Sequence, residues 1–222
     1  MPSSSDRPRL TRDRVVAEAI SLADEQGLDA VSMRSLAARL GVVPMALYKH
    51  VPDKEGLVAA MIDAVVAGFP TVPPAQPWRD ALRTRIRHAR HALGRHGWLQ
   101  GAIEAAPHPT PAVLAHLDAA TGDLLAARFS VDLTHYAMHA LGSRVWGFSP
   151  EAFTGRAPAE ALDEQSARAA AERFPHIAAV AADAATRHPA GGCEPDGEFD
   201  FTLDLILDAV ARLHADGWTS HP

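Results

Sequence analysis

The sequence predicts an all-α protein: an N-terminal three-helix helix-turn-helix domain followed by a larger helical domain. Three observations carry that expectation. Apolar residues recur every three or four positions through most of the chain, the period of an amphipathic helix. Alanine is abundant and the alternating β-branched pattern of strands is scarce. Glycine and proline, 15 and 17 residues, fall between the periodic segments and punctuate them.

Thr11 can cap a first helix, with Asp13 in its first turn where the helix dipole favours a negative charge. Val15, Val16, Ala19, Ile20, Leu22 and Ala23 then recur at helical spacing, and Gly27 ends the run. Ser32 is the next N-cap, and Met33, Leu36, Ala37 and Leu40 line a second helix closed by Gly41. A third, short segment runs from about Pro44 to His50. A fourth starts near Asp53, carries Leu57, Val58, Met61, Ile62 and Val65, and fades at Gly68. The stretch FPTVPPAQPW, residues 69–78, holds four prolines and marks a domain boundary. Domains are accordingly expected at 10–68 and 78–216. Further helices are expected at about 78–96, 110–127, 131–147, 158–173, 175–187 and 198–215, with a loop at 188–198.

Composition narrows the function classes. The hydrophobic fraction of 47% suffices for a sizeable core, yet no apolar run of 18 residues occurs, so no membrane span is expected. The polar, basic start MPSSSDRPRLTRDR has no apolar signal-peptide core. The single cysteine, Cys193, permits no intrachain disulfide. A cytoplasmic protein is the expectation. The net charge is −6, but residues 1–60 balance eight basic against eight acidic residues, and the only two lysines are Lys49 and Lys54. Arg7, Arg9, Arg12 and Arg14 form a basic arm.

A short helix, a glycine-containing turn and a second short helix make a helix-turn-helix, which sets its second helix into the DNA major groove. Leu36, Leu40, Val42 and Leu47 are spaced to face inward. Pro44 suits a first helical turn, where its missing N–H is not needed. Pro44, Met45, Ala46, Tyr48, Lys49 and His50 are left to look outward. Lys49 can reach a base edge or phosphate, Tyr48 a phosphate, and Met45 and Ala46 a thymine methyl. Lys54, with free backbone N–H groups at the start of the fourth segment, is expected to form a second phosphate clamp.

Residues 10–68 resemble the DNA-binding domain of the TetR family of bacterial transcriptional regulators. The likeness rests on LTRDRVVAEAISLADEQGLDAVSMRSLAARLGV, the element LYKH, and DKEGL. By position, Arg34, Tyr48, Lys49, His50 and Lys54 match DNA-contacting sites of that family. The resemblance implies a homodimeric repressor, acting on a double-stranded operator, whose larger domain senses a small molecule. FDFTLDLILDAVARL, the Trp78-x-Asp80 opening and HYAMHALGSRVWGF resemble the tetracycline-repressor branch. In that branch the helices matching 131–148 and 199–214 form a four-helix dimer bundle. Where those repressors carry a drug-gripping amide, this chain has Arg83, Arg85, Arg87, His88, Arg90 and His91, so the inducer is not expected to be tetracycline.

Phe199, Leu203, Ile206, Leu207, Val210 and Leu213 form an apolar stripe that Phe201 and Leu205 widen, a width that suggests burial on two sides. Phe199, Leu203, Ile206, Leu207, Val210 and His139 are the expected dimer contacts. Trp98, Glu104, His135, His139, Arg144 and Trp146 are candidates to line the ligand pocket. Asp132, His135 and His139 share a helical face, as metal ligands would, but so common a spacing assigns no metal, and no cofactor is expected. Two alternatives stand beside the ligand-released repressor. One is a DNA-binding regulator that activates, or answers to a protein partner. The other is a histidine-based metal-dependent hydrolase, although the chain has no phosphate-binding glycine loop, nucleophile elbow or HExxH motif.

Overall fold

The computed structural model describes residues 9–73, 76–146, 164–187 and 195–221. Among them are eleven α-helices and no strand: α1 (Arg12–Gln26), α2 (Met33–Leu40), α3 (Pro44–Leu47), α4 (Lys54–Ala67), α5 (Trp78–Arg95), α6 (Leu99–Ala105), α7 (Pro111–Ala126), α8 (Val131–Trp146), α9 (Glu164–Arg173), α10 (Pro175–Arg187) and α11 (Pro195–Ala215). No described helix is long and apolar enough to cross a membrane.

Two compact units are present, Met1–Thr134 and His135–Pro222. In the first, α1 packs on α2 and α4, and α4 packs in turn on α5, α6 and α7. Val15, Leu36, Leu57 and Met61 share one hydrophobic cluster with Trp98, Leu99 and Val113, so the core continues past the proline-rich stretch. The caps follow the sequence. Thr11 accepts from Arg14 N–H, and Ser32 and Ser35 cap reciprocally. The left-handed Gly41, at φ 67°, closes α2 as its amide and that of Val42 return to Ala37.

Helix α7 is capped from a distance. Thr110 makes no side-chain cap bond, and Asp63 of α4 instead accepts from the Ala112 N–H at 2.9 Å. A carboxylate there complements the positive end of the helix dipole. At the end of α4, Phe69 meets the His116 ring of α7 edge-on, 5.3 Å between centroids. Burial first, then the Arg85 and His88 charges, hold His116 below its ordinary value of 6.5. The unfolded chain therefore binds this proton more readily than the folded one. Stability from this group is present above about pH 6.5 and is lost as pH falls further. The urea midpoint is expected to drop between pH 7 and 5, and His116→Phe to flatten part of that drop.

In the second unit, α11 ends where Gly217, at φ 65°, reverses the chain and Trp218 N–H bonds Leu213 O at 3.0 Å. The Trp218 ring then lies edge-on to Tyr136 of α8, 5.3 Å away.

Three local expectations change. Helix α6 falls between the expected helices at 78–96 and 110–127, because seven residues flanked by glycine and proline carry too little periodicity to show. Helix α11 starts at Pro195, where proline is tolerated in a first turn. Helix α3 ends at Leu47, because His50 and Val51 N–H both bond Leu47 O and tighten Tyr48–His50 into a turn. Cys193 and residues 158–163 of the expected ninth-helix segment lie outside the described residues.

Candidate nucleic-acid interface

The short α3 is presented by burial beneath it. Leu36 and Leu47 are fully buried, Leu40 nearly so, and Val42 packs partly against the same cluster. The outward positions are left open. Met45 is 71% and Tyr48 46% exposed, and Arg34, Pro44, Lys49 and Lys54 are exposed as well, while Ala46 and His50 are half-buried. Val43, 67% exposed at the N-cap of α3, joins them, a residue absent from the outward positions expected from the sequence. Its signal was its position directly before Pro44, at a helix N-terminus that points outward. Two large exposed apolar side chains beside lysines and an arginine suit a surface that meets both thymine methyls and phosphates.

The start of α4 differs from the arrangement expected for a second phosphate clamp. Asp53 accepts from Gly56 N–H at 2.7 Å, so one amide at the start of α4 is already taken and a carboxylate sits beside it. The exposed Lys54 is the cation that stands next to it. Gly56 is required by crowding: a Cβ there would lie 2.7 Å and 2.9 Å from the Pro52 ring carbons Cγ and Cδ. Gly56→Ala is expected to displace the Pro52–Asp53 turn and to cost about 1–3 kcal/mol, read from urea unfolding.

Helix α2 is also tied to α1 by polar groups. Arg39 forms a fork on Glu25, with Nη1 and Nη2 at 2.7 Å and 2.5 Å, and its Nε meets Glu18. The Arg39 fork holds the Glu25 carboxyl down at about 2, helped by the Ser21 hydroxyl. Sequence reasoning missed this network, since the partners are separated by 14 and 21 positions.

The expected ligand-pocket residues divide between the two compact units. Trp98 is buried at the start of α6, and its indole N–H donates to Asp24 of α1 at 2.7 Å. It borders a cleft of about 490 Å³ with Asp24, Gln26, Asp29 and Gly101, and with none of the other expected pocket residues. Glu104 is exposed and accepts from Gln100 at 2.9 Å. His135 and His139 are exposed on α8, their rings 4.6 Å apart. The side chains of Arg144 and Trp146 lie outside the described residues. Among the described residues, no three His, Cys, Asp or Glu side chains gather as a metal site requires.

The expected dimer contacts differ among themselves in exposure. Phe199, Leu203, Leu207 and Val210 are buried within the chain itself and Ile206 is half-buried, so the first four offer a partner almost no surface. Phe201, 66% exposed, and Leu205, 53% exposed, lie four residues apart on the outer face of α11. The stripe thus has a buried inner row and an exposed outer pair, and that outer pair is the part the sequence reads as widening it.

Comparison with known proteins is consistent with this geometry. Residues 15–61 match the family described as bacterial regulatory proteins, tetR family. Residues 69–213 match the tetracyclin repressor-like C-terminal domain. The HTH-type transcriptional repressor DrrR1 of Streptomyces coeruleorubidus is 31% identical, with 96% of this chain and 82% of that protein aligned. The class C tetracycline repressor protein of Escherichia coli is 29% identical over 92% of each chain. A possible TetR family transcriptional regulator from Streptomyces coelicolor A3(2) superposes with a TM-score of 0.71 at 27% identity, covering 91% of this chain and 99% of that one.

Proposed function

The chain belongs to the TetR family of bacterial regulatory proteins, DNA-binding regulators of transcription, and from that premise we propose that it is a homodimeric repressor released from a pseudo-palindromic operator by a small molecule. The observation that carries the reading is the exposed surface of Arg34, Val43, Met45, Tyr48, Lys49 and Lys54, held on a buried apolar frame. In a chain of net charge −6, this surface is locally basic, as phosphate binding needs.

Two such surfaces in a dimer would reach half-sites about one helical turn apart, roughly 34–36 Å. Phe201 and Leu205 are the apolar contacts through which α11 would meet its copy. Residues 10–68 would read DNA, and 78–216 would dimerise and receive the inducer. The protein acts by binding rather than catalysis. Its inducer differs from tetracycline, because Arg83, Arg85 and Arg87 stand in the region where the tetracycline repressors carry an amide.

Release requires a ligand that binds better to the DNA-incompetent arrangement. Helix α4 is placed to transmit that preference: Lys54 at its start belongs to the DNA surface, and Asp63 caps α7. Gel retardation of the chain's own promoter region by the purified protein at low salt tests the DNA-binding reading. No retarded species would overturn it. A small-molecule panel, scored first by raised thermal midpoint and then by operator release, tests the inducer.

A further inference from the structure

Three residues join the reading head to the regulatory helices at a point away from the DNA surface. Asp24 lies in the last part of α1. Its Oδ1 accepts the Trp98 indole N–H at 2.7 Å, and the His96 Nδ1 lies 2.8 Å and 3.0 Å from its two oxygens. His96 caps the end of α5 and Trp98 the start of α6, so one carboxylate of α1 grips the corner between the two helices. The side chains of His96 and Asp24 are 15% and 30% exposed, so the contact is only partly open to water. Trp98 is itself part of the core that holds α1, α2 and α4.

Helix α6 packs on α4 and α5, and it reaches α1 through this grip. From α1 the connection to the DNA surface is stiff. The apolar cluster and the Arg39 fork fix α2 to α1, and α2 carries α3 through the Gly41 turn. Whatever sets the tilt of α1 against α6 therefore sets the position of α3. Arg39 anchors α2 at Glu25 and Glu18, the latter about 9 Å along α1 from Asp24, so a tilt of about 10° at the grip shifts that anchorage by about 1.6 Å, roughly half the rise of one base pair.

We propose that Asp24 is a positioning residue for DNA recognition: by holding Trp98 and His96 it fixes the angle of the reading head and so determines which half-site spacing the dimer accepts. The inference rests on the dimeric DNA-binding reading above. Freed of the grip, the head samples more orientations. Binding a correctly spaced site then costs more ordering entropy, while a wrongly spaced site is penalised less.

The full-length wild-type chain is used to recover paired half-sites from a random-sequence duplex library. Wild type, Asp24→Asn, Trp98→Phe and the double variant are then titrated against the recovered duplex and against versions with one base pair added to or removed from the spacer. Asp24→Asn keeps the side-chain shape, while Trp98→Phe keeps an aromatic ring but removes the indole N–H together with part of the buried volume. Each is expected to bind the parent duplex about five- to tenfold more weakly and to lose most of the spacing penalty, the double variant adding little. An unchanged affinity and spacing penalty overturns the inference. So does an equal loss on all three duplexes, which is the signature of a destabilised fold alone. A wild-type chain that recovers no paired site overturns both this inference and the repressor reading beneath it.

Discussion

Lys49→Ala is expected to weaken operator binding by at least about 30-fold. A base or phosphate contact of this kind is worth about 1–3 kcal/mol, and a dimer loses it twice. Lys49 is exposed directly after α3, where the chain turns at Tyr48–His50, with Leu47 buried behind it. Removing the side chain therefore leaves the packing intact and takes only the contact. The salt dependence separates the two roles. If Lys49 meets phosphate, the slope of log affinity against log salt falls by about 0.9 per half-site, or about 1.8 for the dimer. If it reads a base edge, the slope holds and discrimination between operator variants falls. Tyr48→Phe, which removes only the hydroxyl, is expected to act through phosphate alone. Titration of the variants by fluorescence anisotropy at several salt concentrations decides among these outcomes. Wild-type affinity for Lys49→Ala would remove it from the interface.

Phe199→Ala and Phe201→Asp are expected to fail in different ways although they sit two residues apart. Phe199 is buried within the chain, and truncating it should cost about 3–5 kcal/mol of folding stability. Against a total of about 5–15 kcal/mol for a typical protein, that is a large fraction, read as a lowered urea midpoint. Phe201→Asp instead places a charge on the exposed face beside Leu205. The expected result is a shift from dimer to monomer in sedimentation equilibrium, with the helical signal retained. Loss of the dimer should in turn reduce operator affinity, because two linked reading heads bind far more tightly than one. A dimer that survives Phe201→Asp together with Leu205→Asp would place the interface elsewhere.

The pair also marks where sequence reading stops. The apolar breadth of α11 was legible. Which of the two rows faced inward was not, because helical periodicity defines a stripe without saying what covers it. The same holds for Trp98. Its size and surroundings suggested a pocket wall, and it does border a cleft, but that its N–H is committed to Asp24, 74 residues away in the chain, was not legible. Asp63 and Ala112, 49 residues apart, and Arg39 and Glu18, 21 apart, were invisible for the same reason.

What the sequence determined by itself is local in its physics. Thr11, Ser32 and Asp53 cap helices with their own nearby amides, and Gly41 turns the chain because its φ suits a residue without Cβ. The outward placement of Tyr48 and Lys49 follows from the inward placement of Leu47 on so short a helix. Tertiary structure alone decided how the reading head is held. The Asp24 grip, the Asp63 cap and the inner row of α11 bring together groups far apart in sequence, and only the packed core sets their separation. Caps and turns bind partners a few residues away, so their chemistry can be read along the chain. Contacts between helices depend on how the helices stack, which no short stretch of sequence encodes.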